Sequence, residues 1–284
     1  MVPRIALGGA AAVAYAVLLL APLAVIVYSV SPGAALEIPP SGASLRWYAG
    51  LADQPRLISG LLTSLLLGAI ATGAALVTGI PAALALTRGS LPGREAFLAV
   101  LLSPLSLPGL VLGLGVLTSA AVLANATGIR TAGTLLPLVA AHLLITIPWV
   151  VRSVAASLES TDPALEDQAR SLGAGPFATL FLVTLPSARA GIVAGAMSAF
   201  VISFGNFALS LLLASGRTVT LPVAIYETVD RYQDPTVAAV STLTIAAAVG
   251  AAVLTDRISG PLKARDASSR SGQPANPAAP EPNR

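Results

Sequence analysis

The chain has 284 residues, 55% of them hydrophobic and 10% charged, with a mean hydropathy of +0.82 and a formal net charge of +3. A soluble domain carries about 25% charged residues, so 16 basic and 13 acidic side chains cannot cover a water-facing surface of this size. A soluble enzyme, a disordered chain and a nucleic-acid-binding domain are excluded as the main reading, and most of the surface is expected to face lipid.

The charges are segregated along the chain. Stretches without Asp, Glu, Lys or Arg cover 5–36, 57–87, 96–129, 131–151, 190–216 and 235–255. A bilayer-spanning helix needs roughly 20 mostly apolar residues, so six spans are predicted at about 5–30, 57–87, 96–124, 135–151, 190–214 and 235–255. The first apolar run far exceeds the ~7–15 residues of a signal-peptide core and reads as an uncleaved span. In the loop that follows, Ser44-Leu45-Arg46-Trp47-Tyr48 suits the headgroup level, where Trp and Tyr settle. A tight turn from Arg88 to Glu95 leads into the third span, which Pro104 and Pro108 are expected to bend. A short loop, 125–134, precedes span four. The longest loop, 152–189, separates spans four and five. Within it, 171–188 is free of charge but holds Gly173, Gly175, Pro176 and Pro186. It is predicted to lie at the membrane surface and not to form a seventh span. The Ser/Pro/Ala-rich segment 260–284 is expected to be a disordered cytoplasmic tail, leaving 1–259 as the membrane domain.

Six spans put both termini on one side. The N-terminus, the 88–95 turn, the 152–189 loop and the segment after the sixth span, 256–284, hold eleven Lys and Arg, against five on the other side. Basic loops stay in the cytoplasm, which places both termini there, although five of the eleven lie beyond the sixth span, in 256–284. Fifteen Arg against one Lys, with abundant Ala, Gly and Pro, points to a high-GC bacterial genome.

Little in the chain can do chemistry alone. With no cysteine there is no disulfide, thiolate or cysteine metal site. The single Lys, Lys263, follows no Gly-rich turn, so ATP is not bound here through a P-loop. The single His, His142, cannot build a zinc site unaided; a hydrogen bond between helices is its plainer role, and a proton relay or substrate contact the sharper one. No Asp, Glu, Lys or Arg interrupts a span, which argues against a proton-coupled pump. Asn125-Ala126-Thr127 matches a glycosylation acceptor without consequence in a bacterial protein. Gly109-x-x-x-Gly113 and Gly191-x-x-x-Gly195 suit close helix packing.

The 152–189 loop is the informative stretch. Asp162-Pro163 is a strong helix start, Asp capping free N–H groups and Pro fitting the first helical position. Glu166 and Asp167 lie towards the positive end of the helix and Arg170 towards the negative end. Gly173 suits a left-handed stop. Leu165, Ala169 and Leu172 form one apolar stripe. Gly175-Pro176 opens a second short segment with Phe177, Leu180 and Phe181 on one face, ended by Leu185-Pro186. A surface helix on lipid and a docking element for a soluble partner both fit this pattern.

The run Leu165-Glu166-Asp167-Gln168-Ala169-Arg170-Ser171-Leu172-Gly173-Ala174, with Val183-Thr184-Leu185-Pro186 beyond it, resembles the EAA loop of binding-protein-dependent ABC importer permeases. That pattern is Glu-Ala-Ala, three residues, Gly, nine residues, Ile-x-Leu-Pro. Asp167-Gln168-Ala169 stands for the first triplet and Val183 for Ile. Leu45-Arg46-Trp47-Tyr48, Ala141-His142 with Ile147-Pro148-Trp149, Thr220-Leu221-Pro222 with Ile225-Tyr226, and the run from Asp234 to Thr242 resemble the spermidine/putrescine branch. Together these marks cover about 45–257.

The resemblance implies an all-α, six-span permease of the type I ABC importer fold in the bacterial inner membrane. It implies no catalytic residue and no cofactor, with ATP bound by partner subunits. The implied partners are two cytoplasmic ATPase subunits, a second homologous permease, forming a heterodimer, and a periplasmic or lipid-anchored solute-binding protein. The residues expected to couple to the ATPase are Leu165, Glu166, Asp167, Ala169, Gly173, Ala174, Leu185 and Pro186. The implied solute is a polyamine such as spermidine or putrescine; 2-aminoethylphosphonate or another small organic solute is the alternative. Related polyamine permeases carry acids near a Ser-Phe-Asp pattern in span five, where this chain reads Ser203-Phe204-Gly205-Asn206-Phe207. Ser203, Asn206 and Ser210, at i, i+3 and i+7, are candidates for pathway lining or for interhelical hydrogen bonding. Glu227, Asp230 and Asp234 fall in the outer loop, where solvated charge is the plain reading. A secondary transporter, which would need an ion site built from hydroxyls, amides, His142 and backbone, is the reading of a different class. A membrane structural or assembly protein, which has no need for the spacing from Gly173 to Pro186, is a third.

Overall fold

The computed structural model describes residues 4–33, 42–216, 218–231, 235–250 and 252–253. The expected tail, 260–284, and Asp234 lie outside the described residues. Thirteen α-helices carry the described chain: α1 Arg4–Ser29, α2 Arg46–Ala49, α3 Pro55–Arg88, α4 Arg94–Ser106, α5 Gly109–Thr127, α6 Leu135–Glu159, α7 Ala164–Ser171, α8 Pro176–Thr179, α9 Leu185–Ser187, α10 Arg189–Phe204, α11 Phe207–Leu213, α12 Leu221–Arg231 and α13 Thr236–Gly250. A 3-10 turn, Gly50–Asp53, precedes α3, and a π-turn, Leu180–Thr184, joins α8 to α9. Among the described residues there is no strand, as an all-α chain requires.

Four of these helices are long and apolar enough to cross a membrane, or five if the 67° bent pair Pro176–Ser187 and Arg189–Phe204 makes one span. Two expected spans are not continuous. Span three divides at Leu107, with Pro108 opening α5. Span five divides at Gly205–Asn206, because the Asn206 side chain accepts from Leu209 N at 3.0 Å and starts α11 as an N-cap. Span four overshoots its expected end by eight residues, since a helix does not stop where its apolar run stops. The sixth expected span corresponds to α13 within the described residues.

The core is built on α3, α6 and α10, which pack against one another. Ala75, Ala83 and Leu86 of α3 meet Val150, Val151, Val154 and Leu158 of α6 and Ala199 of α10. Missing side chains make this approach possible. A Cβ on Gly79 would stand 2.8 Å from Val150 Cγ1, and one on Gly191 would collide with the Ser153 carbonyl and lie 2.5 Å from Ser157 Cβ. Gly195 sits on Val150 in the same way, and Gly109 and Gly113 face α11. Both Gly-x-x-x-Gly pairs are therefore packing motifs.

With 34 residues, α3 is about 51 Å long at 1.5 Å per residue, against a hydrocarbon core of about 30 Å. Its ends consequently emerge on opposite sides. At the first, Arg56 forms a two-pronged pair with Glu227 of α12 at 2.8–3.1 Å and donates to the Gly216 carbonyl. Glu227 is thus a paired charge and not a freely solvated one. On the same side the Trp47 indole donates to Ser31 O at 2.8 Å and Tyr48 OH meets Ser29 Oγ at 2.8 Å, which ties the end of α1 to α2. The aromatic pair is an anchor between these two helices.

Substituting Gly191 by Ala is expected to destabilise the fold by about 1–3 kcal/mol through overpacking, read as a lower midpoint in detergent unfolding. Gly73→Ala, where nothing lies within 4 Å, is expected to leave that midpoint unchanged.

Candidate functional site: the 152–189 segment and the polar cluster at His142

The expected surface helix is α7, and its caps are those the residues suggested. Asp162 Oδ1 accepts from Ala164 N at 2.9 Å. At the other end Ala174 N donates to Ala169 O and Gly173 N to Arg170 O, both at 3.0 Å. This is the Schellman closure, in which the residue after the cap takes the left-handed conformation; Gly173 has φ +90°. Ala169 and Ala174 therefore contribute main-chain groups to the stop, and Gly173 contributes a conformation that a side chain would strain.

The orientation of α7 differs from what an apolar stripe leads one to expect. The residue buried against the bundle is Glu166, 8% exposed, while Leu165 and Asp167 point outwards and Leu172 is 89% exposed. Glu166 is buried because it has a partner: Arg88 Nε, at the end of α3, donates to its Oε1 at 3.0 Å. A desolvated carboxylate needs such a charge. Asp167 pairs on the surface with Arg170 at 3.1 Å. The following segment repeats the inversion. Thr179 and Thr184 face inwards, whereas Phe177, Phe181 and Leu182 are exposed. Leu185 is half-buried and Pro186 exposed, and both belong to α9, which turns the chain into α10. The outer face of α7 carries a shallow open hollow lined by Ala164, Asp167, Gln168, Ser171 and Leu172.

Deep in the bundle the second cluster forms around His142 on α6. Its Nδ1 lies 2.7 Å from Ser203 Oγ on α10, and its Nε2 lies 3.3 Å from Ser210 Oγ on α11. All three side chains are buried. A neutral imidazole has one donor and one acceptor, and a hydroxyl can meet either, so the set is satisfied without a charge. Thr146 Oγ1 closes the group by donating to the His142 carbonyl at 2.9 Å. The helix break divides the anticipated Ser203, Asn206 and Ser210 stripe. Asn206 is spent on the cap of α11, and the two serines converge on His142 from either side of the break. Among the described residues no group of three His, Asp or Glu side chains could hold a metal ion.

Arg88 was missed in the sequence, where it appears only as the first residue of a turn. Its partner is 78 positions away, and no local pattern announces a pair of that separation. Asn206 did carry a signal, as an Asn following Gly is a common stop-and-restart of a helix.

The family model described as "Binding-protein-dependent transport system inner membrane component" matches residues 75–260. The chain is similar to the putrescine transport system permease protein PotI of Escherichia coli K12, 29% identical over 208 residues, 73% of this chain and 74% of that protein. It is also similar to the molybdenum transport system permease protein ModB of the same strain, 35% identical over 176 residues, 58% of this chain and 77% of ModB. A crystal structure of a bacterial ABC transporter that imports the acidic polysaccharide alginate contains a chain with the same fold. It has a TM-score of 0.69 at 15% identity and covers 89% of this chain and 95% of that one.

Removing the imidazole by His142→Ala is expected to cost about 1 kcal/mol for each hydrogen bond lost. The shorter contact should dominate, so Ser203→Ala should lower the unfolding midpoint in mixed micelles more than Ser210→Ala.

Proposed function

Because the chain belongs to the family of binding-protein-dependent transport system inner membrane components, and so is a multi-pass permease subunit of an ABC importer and not an enzyme, we propose that α7 to α9 form the coupling element for a cytoplasmic ATPase and that the solute is a polyamine such as putrescine. Two ATPase subunits, a second homologous permease and a solute-binding protein complete the machine, with both termini of this chain in the cytoplasm. In this reading 1–259 is the membrane domain and 260–284 a cytoplasmic tail.

The observation that carries the docking reading is the inverted α7. A helix lying on lipid puts its apolar stripe towards the acyl chains and its charges towards water. Here Asp167, Gln168 and Ser171 share the outer hollow with Leu172. Carboxylate, amide, hydroxyl and leucine together suit a protein surface with a basic group and an apolar socket. The surroundings agree: Arg88, Arg94, Glu159 and Arg170 crowd this end in ion pairs, which marks it as lying outside hydrocarbon. Leu165, Asp167 and the exposed Phe177 would meet the ATPase, while Gly173, Leu185 and Pro186 set the path of the chain back to α10.

The polyamine reading rests on the likeness to PotI together with the spermidine/putrescine-type marks. The predicted spans carry no acid, so a cation would be handled there by hydroxyl, amide and carbonyl oxygens. Ser203 and Ser210, bonded to His142, and Asn206, bonded in the cap of α11, would line the pathway only where the solute displaces those bonds.

The test is purification of the tagged chain from its own membranes, with ATP hydrolysis assayed on what accompanies it and putrescine uptake measured in vesicles. 2-Aminoethylphosphonate and molybdate serve as comparison solutes. An ATPase that co-purifies and is lost in Asp167→Arg is the expected result. Gly173→Pro should insert normally yet abolish uptake, because proline fixes φ near −65° where the helix stop needs +90°. Uptake driven by an ion gradient without any ATPase would replace this reading with a secondary transporter.

A further inference from the structure

We propose that Arg88 is the positioning residue that makes the coupling element rigid with the membrane bundle, and that Glu166 is the group on α7 through which it acts. This inference rests on the docking reading of α7.

The side chain of Arg88 gathers three segments. Its Nε donates to Glu166 Oε1 in the first turn of α7 at 3.0 Å. Its Nη2 donates to the Leu158 carbonyl in the last turn of α6 at 3.1 Å and to the Thr161 carbonyl in the connection at 3.4 Å. The last carbonyls of a helix lack intrahelical partners, and a cation there is favoured by the helix dipole. One guanidinium therefore caps α6, holds its connection to α7 and neutralises the buried carboxylate of α7. Arg170 adds a looser contact to the other oxygen of Glu166 at 3.8 Å. Arg88 itself is the last residue of α3, whose packing against α6 and α10 forms the core.

Without this tie, α7 would be held by residues 160–163 and 172–175 and by its packing on α8 and the π-turn, which belong to the same 152–189 segment. Residues 172–175 include Gly173 and Gly175, so a push on the outer face of α7 could be absorbed as rotation of the helix. With the tie, displacement of α7 has to carry the ends of α3 and α6 with it. The two acids at the start of α7 thus have different tasks. Asp167 faces outwards, to a partner, and Glu166 faces inwards, to the frame. Position 166 precedes the triplet that aligns with Glu-Ala-Ala, and although Glu166 was among the residues expected to couple to the ATPase, its burial turns it to the frame and not to the partner.

The experiment uses the assembled transporter in nanodiscs and in vesicles, with putrescine as the probe solute and the ratio of solute moved to ATP hydrolysed as the readout. Arg88→Gln and Glu166→Gln should each leave the ATPase bound and hydrolysing but lower that ratio by about tenfold, and the double variant should be no worse than the poorer single one, since the two residues act as one unit. Glu166→Gln keeps both carbonyl contacts of Arg88, so it remains informative should Arg88→Gln fail to insert. Because the chain has no cysteine, spin labels at Ser171→Cys on α7 and Ser103→Cys on α4 report the attitude of α7 directly. They are read in the chain in nanodiscs before the ATPase is added, since Ser171 lines the docking hollow. The distance distribution should broaden in either glutamine variant. An unchanged distribution, or a wild-type ratio in both variants with the ATPase in place, overturns the linkage alone. Absence of any ATPase beside the unaltered chain overturns the docking reading and this inference with it.

Discussion

The structure depends on the close approach of α6 to α10 and α3, which exists because glycine stands at positions 79, 191 and 195 where any side chain would strike α6. Lipid tails are as apolar as leucine, so no hydrophobic force separates helix from lipid here. Helices associate through tight van der Waals contact and hydrogen bonds. Once α6 and α10 are held face to face, the ends of the segment between them are fixed within a few ångströms of each other. The segment must then fold back as a hairpin of short helices, and its capping residues decide only how it does so.

The polar side chains of the bundle follow the same economy. His142 finds hydroxyls on both halves of a broken helix, and Ser64 accepts from Leu221 N at 2.8 Å, seating the start of α12 against α3. At these places a neighbouring side chain meets the main-chain interruption, as irregular backbone within a membrane favours. Asn206 at the start of α11 is the clearest instance, whereas the break at Leu107 and Pro108 has no side-chain cap. Neutral groups do all of this work inside the bundle, and full charges are kept for the two ends of α3.

Much of this was legible beforehand, for physical reasons that can be named. Charge-free runs located α1, α3 and α6 because apolar length is a direct requirement of a bilayer. Asp162, Gly173 and the residues between them foretold α7 because caps are local chemistry. What could not be read was direction. The periodicity of Leu165, Ala169 and Leu172 identifies a stripe but not what it faces, and the stripe turned outwards because Arg88 offered Glu166 a better partner than lipid or water could. Residues 78 positions apart leave no periodic trace in a chain. The division of span five was hidden for another reason: apolar content carries on undisturbed through Gly205 and Asn206, and only the cap chemistry records the break.

The length of α3 has a mechanical corollary. A rod of about 51 Å that is packed against α6 and α10 from Leu67 to Leu86, and gripped by an arginine at each end, moves as one body. The contacts held at its two ends, Arg56 with α12 and Arg88 with α7, are thereby joined through one continuous helix, so that a change of attitude at one end is felt at the other.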